Sequence, residues 1–344
     1  MCQVGAEAAL KADVCGRRPE LRAAFGRPGL VTFKDPSGAA GEATGRPSPL
    51  ARAGGAALGP AADAGAAAAR IAATVGAEEP LRLQVWERDR WRPGDEPEGF
   101  AYGGLAAAAR AGIVEAWPKG HVLLDGEEAA AGERVVDVVV APEEPLFVGV
   151  HRHGEGRPPG AGGRIAVTMP AEAPSRAYRK LEEALVWSRA PVRAGDVAVE
   201  LGSSPGGASY ALLRRGLEVH GIDPGAMDPV VLGFAGPGGG RFIHHHRPMA
   251  QVDRADLPRD LHWVLCDVNL APQVALRTVA RLAGRPRPAL LGVLVTLKLD
   301  TWKALRHLPT WERTLAAMGM AEVRVTQLPS NRLELFACGL TAAG

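Results

Sequence analysis

A glycine-rich turn and a carboxylate after the next apolar run are the residues whose types and spacing best suit a ligand. The turn is GSSPGG, residues 202–207, and Asp223 follows the apolar run 218–222. Glycine lets the backbone approach a ligand without a Cβ in the way, and an acid at that strand end can accept hydrogen bonds from both hydroxyls of a ribose. The spacing matches neither the dinucleotide pattern GxGxxG nor the phosphate loop GxxxxGK[ST]. We therefore expect a nucleoside without a pyrophosphate; the alternative is helix-capping glycines and an ordinary turn aspartate.

Strand-like and helix-like segments alternate through the second half of the chain, which predicts a doubly wound parallel sheet. The end differs, because two strand-like runs, 321–327 and 332–339, flank a Pro-Ser-Asn turn and predict a hairpin whose last strand is antiparallel. A mostly parallel seven-stranded sheet closed by a hairpin is typical of Rossmann-like methyltransferases, and it is not the usual ending of a nicotinamide dehydrogenase. The other predicted strands are 197–201, 218–222, 242–244, 263–266 and 290–297, and the predicted helices are 209–215, 272–283 and 302–318.

The first half predicts a smaller α/β arrangement in several pieces. Residues 1–50 carry one helix-like stretch and one short strand, and 51–75 form an Ala/Gly-rich tract that predicts a linker or a helix. Residues 76–160 contain three strand-like runs and one helix-like run. A Gly/Pro-rich span separates them from a C-terminal domain predicted at 164–344.

Bulk composition excludes several classes of protein. The 344 residues are 47% apolar with a net charge of +2, so the chain can bury proper cores and permits a polyanionic partner. No uncharged apolar stretch of about 18 residues predicts a membrane span, and the N-terminus does not resemble a signal peptide. The four cysteines lack CxxC spacing and are expected to be reduced thiols in the cytoplasm. The adjacent histidines 244–246 point to alternate faces of a strand, so we expect packing there and no metal.

Lysine is scarce, because only six of the 40 basic residues are lysines. A lysine can lose its proton near neutral pH in a suitable environment, whereas an arginine cannot. A lysine retained against this background is therefore a candidate for proton chemistry, and the alternative is that most of the six are chance survivors.

The segment LGSSPGG, residues 201–207, resembles the S-adenosylmethionine loop of the FtsJ-type ribose 2′-O-methyltransferases, usually LGAxPGGW. The wider run PSRAYRKLEEAL, VELGSSPGG, VHGIDPGAM, WVLCDV, LKL and NRLELF is similar to the RlmM-type bacterial 23S rRNA cytidine 2′-O-methyltransferases of that family. The resemblance covers residues 164–339 well. It reaches more weakly into the first half, where family members carry a ferredoxin-like segment, here expected at 1–50, and a THUMP RNA-binding domain, here expected at 76–160.

The resemblance implies a Lys-Asp-Lys-Glu catalytic set and a cofactor site. Such a set would align a weakly nucleophilic 2′-hydroxyl with an activated methyl group and help its proton leave. Lys298 is expected to be the base or the stabiliser of the alkoxide, which as a base requires a lowered pKa, and the two acids would orient the lysines and the sugar. The implied catalytic residues are Lys180, Asp267, Lys298 and Glu334. The implied cofactor-binding residues are Ser175, Glu200, Gly202, Ser203, Ser204, Pro205, Gly206, Gly207, Asp223, Met227, His245 and Asp267.

Three departures from the family pattern are visible. Ala208 stands where an aromatic residue normally follows the two glycines, and residues 243–249 offer no carboxylate for the adenine. The N-terminus begins where the family's first strand should be ending, so that strand is expected to be shortened or missing.

The resemblance implies S-adenosylmethionine-dependent 2′-O-methylation of a ribose, expected to be a cytidine, in 23S rRNA. The expected partner is therefore rRNA, with neither a membrane nor DNA. Two alternatives stay open at this point: a non-catalytic RNA-binding protein that keeps the fold for its shape, and a methyltransferase for a small molecule.

Overall fold

The computed structural model describes residues 1–36, 48–98, 102–154, 156–236, 238–283 and 289–344. The chain divides into two compact units, residues 1–166 and 167–344. Within the described ranges, no helix is both long enough and apolar enough to cross a membrane. All four cysteines are free thiols.

The first unit is built on a four-stranded sheet with the order β3-β6-β5-β4, in which β4 and β5 are parallel and the other neighbours antiparallel. Two helices pack on it around a core that includes Ile71, Leu83 and Ile113. A separate two-stranded hairpin follows the first helix. The elements are α1 Glu7–Arg17, β1 Arg22–Arg27, β2 Leu30–Lys34, β3 Ala56–Ala61, α2 Ala64–Thr74, β4 Leu81–Glu87, α3 Gly104–Glu115, β5 Arg134–Val140 and β6 Leu146–Arg152.

The Ala/Gly-rich tract predicted as a linker or a helix is a strand followed by a helix, so the helix is confirmed at its Ala-rich end and the strand is the unpredicted part. The strand β3 consists mostly of alanine, glycine and proline, which are depleted in strands, and it is held by antiparallel pairing with β6. The helix α2 is capped by Asp63, whose carboxylate accepts a hydrogen bond from the Ala66 N–H at 2.8 Å. The tract therefore belongs to the sheet and core of the first unit. The ferredoxin-like segment predicted at 1–50 falls partly outside the described residues, because 37–47 are not described.

The second unit has a doubly wound, Rossmann-like α/β fold with a large mixed sheet. The sheet has seven strands in the order β12-β13-β11-β10-β7-β8-β9, of which β11, β10, β7, β8 and β9 are parallel. The elements are α4 Ala177–Ser188, β7 Val197–Leu201, α5 Gly207–Leu213, β8 Glu218–Ile222, α6 Pro229–Leu232, β9 Arg241–His245, β10 Trp263–Cys266, α7 Pro272–Ala283, β11 Gly292–Lys298, α8 Leu308–Ala317, β12 Glu322–Thr326 and β13 Glu334–Leu340.

The strand order places a crevice at the carboxyl edge of this sheet. The chain proceeds from β7 outward to β8 and β9, and then returns to β10 on the other side of β7. The central strands are buried along their whole length, which explains their continuous apolar runs. In open α/β sheets, ligands bind outside the carboxyl ends of the strands where the strand order reverses in this way.

The C-terminal hairpin brings a distant carboxylate to the same edge. Strand β13 pairs antiparallel with both β12 and β11, as the hairpin prediction requires. Because β13 runs opposite to β11, its first residue lies beside the last residue of β11, and Glu334 is the register partner of Lys298.

The helix predicted at 302–318 begins later than expected. Residues 302–307 form a 3-10 helix, and the α-helix α8 starts at Leu308 with a proline in its first turn. Proline has no N–H to donate to the preceding turn, so it favours the start of an α-helix over its interior.

Candidate active site

Two lysines and two carboxylates from four elements converge at the carboxyl edge of the second unit. Lys180 lies on α4, Asp267 follows β10, Lys298 ends β11 and Glu334 begins β13. The Lys298 Nζ lies 2.5 Å from Glu334 Oε2 and 2.8 Å from Asp267 Oδ1. The Lys180 Nζ lies 2.6 Å from Glu334 Oε1 and 3.7 Å from Asp267 Oδ2. The four charges alternate in sign around a closed ring, which we call the tetrad.

The tetrad is partly open to solvent. The side chain of Glu334 is only 7% exposed, while those of both lysines and of Asp267 are about a quarter exposed, at 23–26%. Charges this close are stabilised by their alternation, because each ammonium contacts two carboxylates and each carboxylate two ammoniums. The exposed side of the ring can therefore admit a polar substrate group.

The electrostatics of the ring fixes the resting state of Lys298. Burial lowers the pKa of its ammonium, but the carboxylates of Asp267 and Glu334 outweigh burial and hold that pKa above the ordinary lysine value. Burial also raises the pKa of Asp267, but Lys180 and Lys298 reverse the effect and hold it below its usual range. The lowered lysine pKa that a free base requires is therefore absent, and Lys298 is an ammonium at neutral pH.

The glycines of the turn allow the protein to pack closely against itself. A Cβ on Gly202 would lie 2.8 Å from the Asp267 carbonyl oxygen, and one on Gly206 would lie 2.6 Å from Val231. Gly202 and Gly206 also have positive φ, at +81° and +117°. The sequence reasoning assigned the absence of side chains to the approach of a ligand. In the structure, neighbouring protein atoms occupy the space that these side chains would fill. The turn therefore packs directly against the backbone of Asp267, a tetrad residue.

Asp223 supports the turn from the next strand. Its Oδ2 accepts a hydrogen bond from the Ser204 N–H at 3.2 Å and its Oδ1 from the Gly225 N–H at 2.6 Å. Each oxygen retains a second lone pair, so this acid can hold the loop and still accept hydrogen bonds from a diol.

The remaining predicted cofactor residues surround the same turn. The Ser203 hydroxyl lies 3.5 Å from the Met227 sulfur, and Ser203 and Met227 are both buried. A Cβ on Gly207 would collide with the Ser175 hydroxyl, which places Ser175 at the start of α5. Pro205 is exposed at the tip of the turn.

The three adjacent histidines divide between the faces of β9. The His245 ring stacks on His220 of the neighbouring strand, with 3.0 Å between His245 Nε2 and His220 Nδ1. His244 Nε2 and His246 Nε2 instead lie 3.0 Å and 2.8 Å from the carbonyl oxygens of Asp223 and Pro224. The turn that carries Asp223 is thus contacted by His244 and His246, while the predicted cofactor residue His245 faces His220. The sequence shows that neighbouring histidines on a strand face opposite sides, but it does not show which side contacts the turn that carries Asp223. The described residues contain no group of three or more His, Cys, Asp or Glu placed to hold a metal.

Glu200 is a buried carboxyl on the first strand of the sheet, 3% exposed, and it accepts a hydrogen bond from the Ser209 hydroxyl. Burial raises the pKa of Glu200 to about 8, although the Ser209 hydrogen bond opposes the shift. Glu200 lines a pocket beside the tetrad, together with Lys180, Asp267 and Ala208, the position where the family has an aromatic residue.

Sequence reasoning missed Asn331, which contacts Glu334, and the hydrogen bonds that hold the turn around it. Asn331 is 1% exposed and donates a hydrogen bond from Nδ2 to Glu334 Oε1 at 3.0 Å. Glu183 of α4 accepts hydrogen bonds from the backbone and side chain of Ser330, in the same turn. The only sequence signal was the close spacing of Asn331 and Glu334 in NRLELF, which is too short a pattern to indicate a contact.

Residues 173–282 match the family model described as FtsJ-like methyltransferase. This part of the chain is therefore similar to the FtsJ-like methyltransferases. The matched range holds Lys180, the glycine turn, Asp223 and Asp267, while Lys298 and Glu334 lie beyond it and complete the tetrad.

Curated proteins named ribosomal RNA large subunit methyltransferase M are similar to this chain. The protein of Shewanella amazonensis is 32% identical over 166 residues, which cover 46% of this chain and 43% of that protein. The protein of Sodalis glossinidius is 28% identical over 236 residues, covering 62% and 58%. The protein of Marinomonas sp. is 26% identical over 270 residues, covering 76% and 72%. The chain thus spans about half the length of the first two relatives, and the similarity to the third extends over more residues than the family model matches.

Proposed function

We propose that this protein transfers a methyl group from S-adenosylmethionine to the 2′-hydroxyl of a ribose in 23S rRNA, with a cytidine as the target nucleotide. The observation that carries the proposal is the tetrad, a closed ring of two ammoniums and two carboxylates beside the glycine turn. The similarity to proteins named ribosomal RNA large subunit methyltransferase M supports the choice of rRNA.

The glycine turn and the Asp223 carboxylate fit a nucleoside cofactor. The turn 202–207 would lie against the nucleoside, and Asp223 would accept hydrogen bonds from the ribose hydroxyls with the lone pairs that the loop leaves unused. When bound, the cofactor supplies an activated methyl group on a sulfonium. Asp267 links this subsite to the tetrad, because its backbone packs against Gly202 while its carboxylate contacts both lysines.

The tetrad's own chemistry is positioning and charge stabilisation. Because Lys298 is cationic, its ammonium donates a hydrogen bond to the attacking oxygen and stabilises the negative charge that develops there. The 2′-hydroxyl donates a hydrogen bond to the Asp267 carboxylate, which faces the same ammonium at 2.8 Å, and the proton released on methyl transfer passes to water at the exposed side of the ring. Of the two roles that the sequence left for Lys298, the balance of charges favours the stabiliser over the base.

Both units would contact the RNA. The first unit is proposed to be the THUMP-like RNA-binding region, and the second to contact the phosphates near the tetrad. Arg176 and Arg179 on the first turn of α4 are exposed, and neither has an ion-pair partner among the described residues. Such cations beside Lys180 suit a polyanionic substrate. A cytoplasmic location follows from this substrate and stays a prediction.

A methyl-transfer assay tests the proposal. Radiolabelled S-adenosylmethionine and rRNA from cells that lack the protein should give one labelled position in 23S rRNA, mapped as a 2′-O-methyl cytidine by alkaline-hydrolysis protection. The tetrad favours this enzyme over a non-catalytic RNA-binding scaffold, for which calorimetry would show RNA binding with no transfer to any rRNA. Transfer to a small molecule alone would equally overturn the proposal.

A further inference from the structure

Glu334 is held by three donors that come from three different elements. Its Oε1 accepts from Lys180 Nζ at 2.6 Å and from Asn331 Nδ2 at 3.0 Å, and its Oε2 accepts from Lys298 Nζ at 2.5 Å. Asn331 therefore supplies a neutral hydrogen bond to a carboxylate that otherwise faces two ammoniums. Both Asn331 and Glu334 are buried, at 1% and 5% exposed.

The orientation of the Asn331 amide is fixed by its own turn. Its Oδ1 accepts a hydrogen bond from the Leu328 N–H at 2.9 Å, and its backbone N–H donates to the Leu328 carbonyl at 3.0 Å. A flipped amide would place Oδ1 against the Glu334 carboxylate and its NH2 group against the Leu328 N–H, so both contacts would become repulsive. The amide therefore presents a donor to Glu334.

The same turn is tied to the helix that carries Lys180. Glu183 Oε2 accepts hydrogen bonds from the Ser330 N–H at 2.9 Å and from the Ser330 hydroxyl at 2.6 Å. Lys180 and Glu183 are three residues apart on α4 and so lie on one face of it. This face contacts the hairpin turn through Glu183 and the tetrad through Lys180.

We propose that Asn331 is a positioning residue that fixes the rotation of the Glu334 carboxylate, so that each of its oxygens meets one tetrad lysine. Without the amide, the Glu334 carboxylate turns about its terminal bond, and the two ammoniums collapse toward Asp267, their other partner. The direction in which Lys298 offers its remaining N–H to the substrate is then lost. The inference rests on the proposed function, since it concerns the geometry of the same site.

The test compares Asn331→Ala with Ser330→Ala by steady-state methyl transfer to 23S rRNA. Asn331→Ala should lower kcat by about 10- to 100-fold, the rate equivalent of losing a hydrogen bond to a charged group, with the KM for S-adenosylmethionine within about threefold of wild type. Ser330→Ala removes a hydrogen bond from the same turn but leaves its backbone contact with Glu183, so its kcat should stay within about threefold of wild type.

A second variant keeps the inference testable if Asn331→Ala is poorly folded. Asn331→Asp preserves the shape of the side chain but sets two carboxyl groups against each other, so only its protonated form can donate to Glu334. Its kcat relative to wild type should therefore rise as the pH falls, which a merely structural role would not produce. A normal kcat in Asn331→Ala, an equal loss in Ser330→Ala, or a pH-independent ratio in Asn331→Asp would overturn the inference. A wild-type protein that transfers no methyl group would instead overturn the proposed function.

Discussion

Lys298 and Glu334 are directly opposite one another in the antiparallel β11–β13 pair, and their side chains meet with 2.5 Å between Nζ and Oε2. The pair joins the last residue of one strand to the first residue of another, 36 positions later in the chain. The backbone hydrogen bonds of the sheet therefore set the spacing of two tetrad residues before any substrate binds. This preorganisation is what a site acting by charge stabilisation requires.

Substitution of Lys298 distinguishes a role as charge stabiliser from a role as general base. Lys298→Ala should lower methyl transfer by about 10²–10³-fold. The affinity for S-adenosylmethionine should stay near wild type, because the Lys298 ammonium contacts the carboxylates of Asp267 and Glu334 and supports no residue of the glycine turn through these contacts. Lys298→Arg retains the charge but cannot act as a base, so it should keep more activity than the alanine variant. Lys119→Ala, at an exposed lysine of the first unit, is the matched control. Equal inactivity of the arginine and alanine variants, with both folded, would argue for a base.

The pH dependence follows from the direction of the shifts. The raised pKa of Lys298 means that its ion pairs are present below the ordinary lysine pKa and are lost only as the pH rises through the raised value. The lowered pKa of Asp267 means that its pairs are present above the ordinary aspartate pKa and are lost only as the pH falls through the lowered value. The logarithm of kcat should therefore not climb with unit slope between about pH 6 and 9, as it would for a neutral lysine base. A pH–rate profile with that slope would contradict the assignment.

Continuous apolar runs between turn residues made much of the second unit predictable. The predicted strands 197–201, 218–222 and 263–266 and the helix 272–283 have the observed bounds. Strand β3 was missed because alanine and glycine carry little strand propensity, and pairing with β6 decides its conformation. A local pattern cannot identify a pairing strand whose residues lie 85 to 94 positions further along the chain, from Ala61↔Leu146 to Ala56↔Val150.

The candidate site was predictable in its members but not in its electrostatics. The tetrad residues came from a resemblance, and the structure brings all four together. The protonation state of Lys298 depends on whether burial or two carboxylates dominate, which requires distances. A sequence shows that His244 and His245 face opposite sides of a strand, but it does not show which of them contacts the turn that carries Asp223.

Removal of one carboxylate should damage both activity and stability. Glu334→Gln leaves two partly buried ammoniums with Asp267 as their one remaining carboxylate partner. Removing the buried partner of an ion pair is costly, so Tm should fall by several degrees and transfer should be lost. Glu322→Gln is the control, since Glu322 lies on the edge strand of the same hairpin with a side chain that is 55% exposed. Its Tm should change by no more than about 1 °C. Thermal unfolding followed by circular dichroism measures both, and equal shifts would show that the tetrad adds no stability of its own.

Neutralising Glu200 should change how stability depends on pH. Burial raises the pKa of this acid to about 8, so the folded state binds a proton that the unfolded chain releases, and wild-type stability declines as the pH rises from the ordinary glutamate pKa toward 8. Glu200→Gln keeps the hydrogen bond from Ser209 but cannot ionise. Its Tm relative to wild type should therefore increase between about pH 5 and 8.5. Parallel pH dependence of the two proteins would show that Glu200 titrates normally.

Substitution of Gly206 distinguishes the packing of the glycine turn from backbone strain alone. Its φ is +117°, and an added Cβ would press on Val231 and Met227 at 2.6 Å and 3.0 Å. Gly206→Ala should therefore displace the turn and weaken S-adenosylmethionine binding by at least about tenfold in calorimetry. Gly195 also has a positive φ, +88°, but a Cβ there meets nothing within 4 Å. Gly195→Ala carries the same kind of strain without the contacts, so it should lower Tm and leave the affinity unchanged. Equal losses of affinity in the two variants would mean that general destabilisation, and not the packing of the turn, governs cofactor binding.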